Sequence, residues 1–427
     1  MRIAFIVERY GTEILGGPEY ACRLTAEQLA DRHDVDILTT CASDNLSWRN
    51  DYAEGADRVR GVTVRRFANS QTRDLADFTR YSDWIFQNPH GPADEMEWLK
   101  RQGPWSPGLI EYLKRHYKQY EALIFYNYRY APTVLGLQID PARSILIPAA
   151  HEEPAIHLDI YEDVFRLPRA IGYLSEPERR FVCQTFNRSV AIEETVGCGV
   201  DLPPHHAYPK AGPVDPIQTA EPVQSETDEG SSGDSGRFPS HVSSRGAGFK
   251  RRHRIHGPFA LYGGRIDPGK GCEELIEYFS TYSAAGGDAS LVLMGLKLMP
   301  LPEEPFLNFA GMLSDQERLQ ALEAATIAVC PSPYESLSLL ALEALAVGTP
   351  ILCNARSEVL VDHCLRSNGG LFYRDRDEFV ESMKLLVADD RLRAAMGRSG
   401  RDYVRRNYRW DVVLGKFDRM IARIRQG

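Results

Sequence analysis

Short runs of β-branched and apolar residues alternate along the chain with longer segments whose apolar positions recur at helical spacing. That alternation predicts parallel sheets flanked by helices rather than an all-helical or all-β fold. In the first half, strands are predicted at Arg2–Val7, Val35–Thr40, Val62–Phe67, Ala122–Tyr126, Ser144–Pro148 and Val190–Glu193. The second half repeats the theme with strands at Phe259–Tyr262, Ser290–Met294, Leu307–Ala310, Ile327–Cys330, Ile351–Cys353 and Gly370–Tyr373. Helices between them include Glu273–Ala284, Asp315–Ala324 and Leu337–Ala346. The final stretch, Arg405–Arg425, sets Tyr408, Trp410, Val413, Leu414, Phe417, Met420 and Ile421 on one helical stripe, which suits packing on a domain better than a membrane.

Composition interrupts this pattern once. Around residues 204–248, Pro, Ser, Gly, Asp and Glu replace the apolar runs, as in Ser225–Gly236, and too little apolar surface remains to offset the entropy of ordering. The chain therefore divides into a first Rossmann-like domain over 1–203, a low-complexity and disordered insertion or linker over 204–248, and a second Rossmann-like domain over 249–405. A terminal helix over 406–427 is expected to pack back on the first domain. Lys250-Arg251-Arg252-His253-Arg254 after the linker reads as a solvated helix end, or as a contact for an anionic partner.

With 427 residues, 43% of them hydrophobic, the chain can fill two ordinary cores. Fifty Lys and Arg against 59 Asp and Glu leave a net charge of −9, which disfavours a nucleic-acid binder. The eight cysteines are scattered, with no CxxC and no zinc-finger spacing, and read as buried reduced thiols. The apolar start breaks at Glu8-Arg9, too early for a signal-peptide core, and no later run is long enough to span a bilayer. A cytoplasmic location follows, and contact with the inner face of a membrane is compatible with it.

Chemistry concentrates in three loops. Between the first strand and a helix starting near Glu19, Gly16-Gly17 would let backbone N–H groups approach an anionic ligand; a tight turn needing no ligand is the other reading. The loop is neither a dinucleotide fingerprint nor a P-loop. Past the strand at Phe259, Gly263-Gly264-Arg265-Ile266-Asp267-Pro268-Gly269-Lys270-Gly271 presents two cations beside free amides, an arrangement suited to a diphosphate. After Cys330, a Pro-broken loop carries Glu335 to the mouth of a helix, where anionic and hydroxyl-rich ligands both fit. Glu343 is the single charge of that helix and needs a partner: either ribose hydroxyls or an arginine of the same chain. Asp34-Val35-Asp36 and Asp375-Arg376-Asp377 lack the placement of a metal-binding Asp-x-Asp triplet and read as structural, so no metal is assigned.

The order of Gly16-Gly17, Gly-Arg-x4-Lys-Gly at Arg265 and Lys270, and Glu-x7-Glu at Glu335 and Glu343 resembles the retaining glycosyltransferases of family 4, which have the GT-B fold. Ser367-Asn368-Gly369-Gly370 extends the resemblance, which covers nearly all of the second half and thins in the first. It implies two facing Rossmann-like domains with a cleft between them. It also implies transfer of a hexosyl group from a nucleoside diphosphate sugar to a glycan, lipid-linked or small-molecule acceptor, with no further cofactor.

By the same resemblance, Arg265 and Lys270 hold the diphosphate, Glu335 the sugar hydroxyls and Glu343 the ribose. The amides of Ser336, Leu337, Ser338 and Leu339 contact sugar and phosphate, Met312 lies near the nucleobase, and His151 contacts the transferred sugar at the reacting region. Glu152 and Glu153 are offered as acceptor contacts. Many members have glycine where Ser336 and Ser338 stand, so the approach of this loop to the sugar differs. A nucleotide-sugar epimerase, a glycan phosphorylase of the same architecture and a non-enzymatic sugar-nucleotide sensor are the other functions compatible with these motifs.

Overall fold

The computed structural model describes residues 1–14, 16–186, 191–202 and 244–426. Residues 203–243, most of the stretch expected to be a disordered insertion, lie outside the described residues, whereas Ser244–Arg252 forms a helix leading into the second domain.

Among the described residues eight strands make the first sheet: β1 (Arg2–Ile6), β2 (Asp34–Thr40), β3 (Gly55–Val59), β4 (Val62–Phe67), β5 (Ala122–Tyr126), β6 (Ser144–Ile147), β7 (Ala170–Tyr173) and β8 (Ile192–Thr195). Their order is β3-β4-β2-β1-β5-β6-β7-β8, parallel throughout except where β3 pairs antiparallel with β4. The second sheet contains β9 (Phe259–Gly263), β10 (Ser290–Met294), β11 (Leu307–Gly311), β12 (Ile327–Cys330), β13 (Ile351–Asn354) and β14 (Gly370–Tyr373) in the order β11-β10-β9-β12-β13-β14, all parallel. Each sheet has a point where the chain reverses direction across it, at β1/β5 and at β9/β12. Crevices outside the carboxyl ends of strands at such points are where ligands bind in open α/β sheets.

Two strands were not visible in the hydrophobic pattern. β3 reads GADRV and is almost wholly exposed, a charged edge strand joined to β4 through Arg60 and Gly61, both at positive φ. β7 is a four-residue buried strand interrupted by Gly172, whose missing Cβ makes room for Ile147 Cδ1. The strand expected at Val190–Glu193 is found as Ile192–Thr195, with Val190 outside the described residues.

The terminal helix Trp410–Gln426 buries Val413, Leu414, Phe417, Met420, Ile421 and Ile424 and lies against β8 and the helix Gly17–Leu29 of the first domain. Trp410 Nε1 donates to Asp201 Oδ1 at 2.9 Å, Lys416 Nζ to the Thr195 carbonyl at 2.7 Å, and Arg32 pairs with Asp418 at 2.9 Å. Gly199 is required here, because a Cβ would stand 2.4 Å from the Trp410 ring. Among the described residues no helix is long and apolar enough to cross a membrane.

The remaining local features fall into place by ordinary packing. All eight cysteines are free thiols, and Cys183 is half-exposed rather than buried. Asp36 is buried, ion-paired with Arg2 at 2.7 Å and bonded by the Tyr120 hydroxyl at 2.8 Å, while Asp375 caps the helix Arg376–Ala388. In the basic cluster, Lys250 Nζ donates to the Gly257 carbonyl and Arg252 pairs with Glu317.

Candidate active site

β9 runs into Gly263-Gly264 at the reversal point of the second sheet, and the backbone there is crowded. A Cβ on Gly295 would stand 2.0 Å from the Gly264 carbonyl oxygen, so the loop after β10 presses directly on the loop after β9. Arg265 leaves this turn with its side chain 44% exposed and Nε 3.6 Å from Asp267 Oδ2. Asp267 then caps the single turn Pro268–Lys270 by accepting from Lys270 N at 3.0 Å, which fixes where the lysine departs. Gly271 has φ 74° and a Cβ there would lie 2.5 Å from the Pro331 carbonyl, so only glycine brings the Lys270 loop against the loop that follows β12.

That second loop carries Glu335, and Lys270 Nζ meets Glu335 Oε1 at 2.7 Å. Two neighbours hold the loop. Asn354 Nδ2 donates to the Pro331 carbonyl at 3.0 Å, and buried His363 donates from Nε2 to the Leu337 carbonyl at 2.7 Å. Burial lowers the pKa of His363, so the ring is neutral and its Nδ1 is left to accept from the Tyr403 hydroxyl at 3.0 Å. The helix expected from Leu337 begins instead at Leu339, because Ser338 stands in the left-handed region at φ 62°, ψ 82°. The backbone thus keeps a conformation natural to glycine although serine occupies it. Leu337 is buried, while Ser336 and Leu339 are half-buried at the mouth of the helix.

Glu343, one turn into that helix, is 8% exposed and pairs with Arg318 at 2.8 Å. Of the two partners open from the sequence, the structure contains the arginine. Burial pushes the Glu343 carboxyl up to about 7, against the pull of Arg318 and helped by Asp315 and Asp201. Arg318 also donates to the Tyr20 hydroxyl at 2.8 Å, tying the second domain to the helix that follows Gly16-Gly17. Gly16 has an ordinary φ of −62°, and a Cβ there would meet Glu19 Oε2 at 2.3 Å; its smallness accommodates the Glu19–Arg9 pair, whereas Gly17 faces open space.

From the first domain, His151 follows β6 and reaches across to Tyr334, with ring centroids 6.0 Å apart and planes 29° from parallel. Its charged surroundings are Glu153 and Arg129 on its own side and Lys270 and Glu335 on the other; burial leads in lowering its pKa, so the imidazole is neutral near pH 7. The turn that delivers it is strained and braced. Ala149 has φ 53°, and buried Glu178 accepts from Ala150 N at 2.6 Å and from Leu174 N at 2.5 Å.

Glu153 is engaged by Arg129 at 2.7 Å and by the Tyr128 hydroxyl at 2.5 Å. Glu152 is exposed and pairs with His157 at 2.7 Å, apart from that cluster. Met312 is 54% exposed just past β11, whose final Gly311 accepts from Gly295 N at 2.8 Å. The cleft therefore gathers His151, Lys270, Glu335 and Tyr334, with Arg265 on the adjoining turn and the Glu343–Arg318–Tyr20 chain leading out of the same helix. Among the described residues no group of three or more His, Cys, Asp or Glu side chains is placed to hold a metal ion.

Sequence reasoning missed Arg318, Tyr20, Glu178 and His363, which position the site from behind. Only Glu178 left a trace, as a carboxylate in the first turn of a helix after a strand; the others depend on contacts between distant segments.

Residues 249–403 match the family model described as glycosyl transferases group 1. A GDP-mannose-dependent monoacylated alpha-(1-6)-phosphatidylinositol monomannoside mannosyltransferase of Corynebacterium glutamicum is 27% identical over 172 residues, 36% of this chain and 45% of that protein. An alpha-maltose-1-phosphate synthase of Mycobacterium tuberculosis is 27% identical over 178 residues, again 36% of this chain and 45% of the relative. The chain thus aligns with less than half the length of these relatives. Solved structures match throughout: sucrose-phosphate synthase of Thermosynechococcus elongatus has a TM-score of 0.67 at 16% identity, covering 99% of this chain and 98% of that one. Anabaena HepE in complex with UDP and glucose has a TM-score of 0.65 at 13% identity, covering 98% and 99%. With the Arg265, Lys270, Glu335 and Glu343 motifs inside the matched segment, residues 249–403 are similar to the glycosyl transferases group 1 family, and the chain as a whole has the GT-B fold.

Proposed function

We propose that the chain is a retaining glycosyltransferase that moves a hexosyl group from a nucleoside diphosphate sugar to a hydroxyl acceptor on a glycan, a lipid-linked sugar or a small molecule. The observation that carries this reading is the 2.7 Å Lys270–Glu335 pair at the reversal point of the second sheet, faced across the cleft by a neutral His151. A diphosphate arriving between Arg265 and Lys270 competes with Glu335 for the ammonium group. Once Lys270 turns to phosphate oxygens, the Glu335 carboxylate regains acceptor capacity for the hydroxyls of the transferred sugar. Donor binding and sugar positioning are coupled in this way.

Glu343 then takes the ribose hydroxyls while keeping Arg318 on its other lone pairs, and Met312 with the turn after β10 borders the base. The relatives and neighbours named above include a GDP-mannose-dependent enzyme and a complex with UDP and glucose, so UDP- and GDP-hexoses are the first donors to test.

Of the carboxylates beside His151, Glu153 is held by Arg129, and Glu335, once Lys270 turns to the diphosphate, is taken up by the hydroxyls of the transferred sugar. This favours attack from the face of the departing diphosphate, with a phosphate oxygen receiving the acceptor proton, so that catalysis rests on positioning and on charge stabilisation by Arg265 and Lys270. His151, uncharged, can accept a hydrogen bond from a sugar hydroxyl without repelling the cationic side of the cleft. The test is a reaction of UDP-, GDP- and ADP-hexoses with a panel of acceptors, followed by nucleoside diphosphate release and by NMR of the product's anomeric proton. Retained configuration is the expected result. Inversion, or the absence of nucleotide binding, would overturn the proposal.

A further inference from the structure

The reversal point of the first sheet faces the same cleft, and three arginines gather there among the carboxylates of Glu8, Glu19 and Glu153. β1 runs out into Glu8-Arg9 and β5 into Asn127–Tyr130. Between them lies buried Trp48, with its Nε1 donating to the Gln102 carbonyl at 2.7 Å and its ring edge-on to Tyr130 at 5.4 Å. Arg9 and Arg73 each lean on the Trp48 ring, at 5.9 and 5.4 Å from its centroid. Arg129 adjoins Tyr130 in sequence and is a charged neighbour of both Arg73 and His151. Three guanidinium groups therefore surround one Trp–Tyr pair beside the reacting region.

Two of these charges are balanced: Arg9 pairs with Glu19 at 2.5 Å and Arg129 with Glu153 at 2.7 Å. Arg73 differs. Its bonds run to the carbonyl oxygens of Leu46 at 3.0 Å, Gln102 at 3.3 Å and Asn45, which orient the guanidinium and neutralise nothing. The nearby carboxylate, Asp44, is committed to the backbone N–H groups of Leu46 and Ser47 and to the Ser47 hydroxyl. Burial and the two neighbouring arginines lower the pKa of Arg73. Arg73 is thus a half-buried guanidinium without a carboxylate partner, and such a cation is suited to receive an oxyanion. Arg129 adds a buried Nε–H without a partner.

We infer that the acceptor carries a compact oxyanion, a phosphate monoester or a carboxylate, which seats on Arg73 and Arg129 at the β1/β5 reversal while the attacking hydroxyl reaches toward His151. The inference rests on the glycosyltransferase reading and specifies its acceptor class. The two anions share the recognition chemistry; the three terminal oxygens of a phosphate monoester, sharing up to about two negative charges, suit two guanidinium forks better than a carboxylate does.

The test uses the full chain with a saturating hexose donor, whichever of the UDP, GDP and ADP forms binds. Acceptors are offered in matched sets: glucose, glucuronate and glucose 6-phosphate, and glycerol with glycerol 3-phosphate. An anionic member should exceed its neutral partner at least tenfold in kcat/KM. Arg73→Gln should reduce that ratio roughly 10- to 100-fold, the range of a lost charge-assisted contact, and Arg73→Lys should restore part of it. A structural role would lower both members alike. Equal use of neutral and anionic acceptors, or a ratio unchanged in Arg73→Gln, overturns the inference.

If Arg73→Gln fails to fold, Arg129→Gln supplies the same ratio. If no member of the panel is an acceptor, inorganic phosphate is titrated into the wild-type protein already saturated with nucleoside diphosphate. A rise in Tm that Arg129→Gln abolishes supports the site, and no rise refutes it. A protein that binds no nucleotide refutes the glycosyltransferase reading instead, whereas one that binds and hydrolyses the donor without anionic preference refutes only this inference.

Discussion

On the proposed assignment of Glu343 to the ribose, nucleotide binding should depend on pH in a calculable way. Its carboxyl is pushed up to about 7 by burial, with Arg318 at 2.8 Å holding it from rising further. A ribose diol needs an ionised carboxylate to accept two hydrogen bonds; protonated, the group keeps one good acceptor and presents a competing donor. With a pKa near 7, about 10% of the protein carries the charged form at pH 6 and about 90% at pH 8, so affinity for a nucleoside diphosphate should rise roughly tenfold across that interval. Burial lowers the pKa of His151, which moves its titration toward the acid end of this interval and away from that of Glu343. The sign also fixes a stability effect. A carboxyl whose folded pKa is raised stabilises the fold below its unfolded value near 4.5, and loses that contribution as pH climbs to 7.

Two variants isolate the group. Glu343→Gln should flatten the pH dependence, leaving only that of the ligand's own phosphate. Arg318→Met removes the cation that lowers the Glu343 pKa, so the midpoint of binding should move to higher pH. Titration calorimetry at pH 6, 7 and 8 reads all three proteins. An equal slope in wild type and Glu343→Gln, or an unmoved midpoint in Arg318→Met, would refute the reasoning.

Glu335→Gln should lower turnover of the complete donor without weakening affinity for the bare nucleoside diphosphate, because on the proposed assignment its contact is with the sugar; steady-state kinetics beside calorimetry separates the two. Ser338→Gly relieves a left-handed serine at φ 62°, a strain of roughly 1–2 kcal/mol, and adds unfolded-state entropy of roughly 0.5–1 kcal/mol, so urea unfolding should show a gain of about 0.5–1 kcal/mol. Glu178→Gln turns an amide NH2 toward one of two backbone N–H donors, at Ala150 or Leu174; it should cost about 1–3 kcal/mol in the same assay and reduce turnover by loosening the turn that holds His151.

Much of this architecture could be read along the chain, for a physical reason. In an all-parallel buried sheet every strand must be apolar on both faces, and β1, β5, β10 and β12 therefore stand out as short apolar runs bounded by polar loops. β3 escaped because an exposed edge strand obeys no such demand. The loops of Lys270 and Glu335 were each legible after strands of the second sheet, but their meeting was not, and Gly271 is the residue that lets those loops touch. The partner of Glu343 was not legible. Arg318 sits on a helix whose sequence, DQERLQALEA, has charges on nearly every side, and only the packing of that helix against Leu339–Val347 and Tyr20 selects the arginine that turns inward. Likewise Ser338 gives no sign in its chemistry of the left-handed backbone it adopts; that follows from a loop held at both ends, by Asn354 at Pro331 and by His363 at Leu337.

The central claim is that Arg265 and Lys270 receive the diphosphate of a sugar nucleotide at the β9/β12 reversal. Calorimetric titration of wild type, Arg265→Ala and Lys270→Ala with a nucleoside diphosphate and with its parent nucleoside tests it most directly. Each variant should lose roughly 1.5–3 kcal/mol toward the diphosphate and almost nothing toward the nucleoside. Equal losses toward both ligands, or diphosphate binding undiminished in either variant, would contradict the claim.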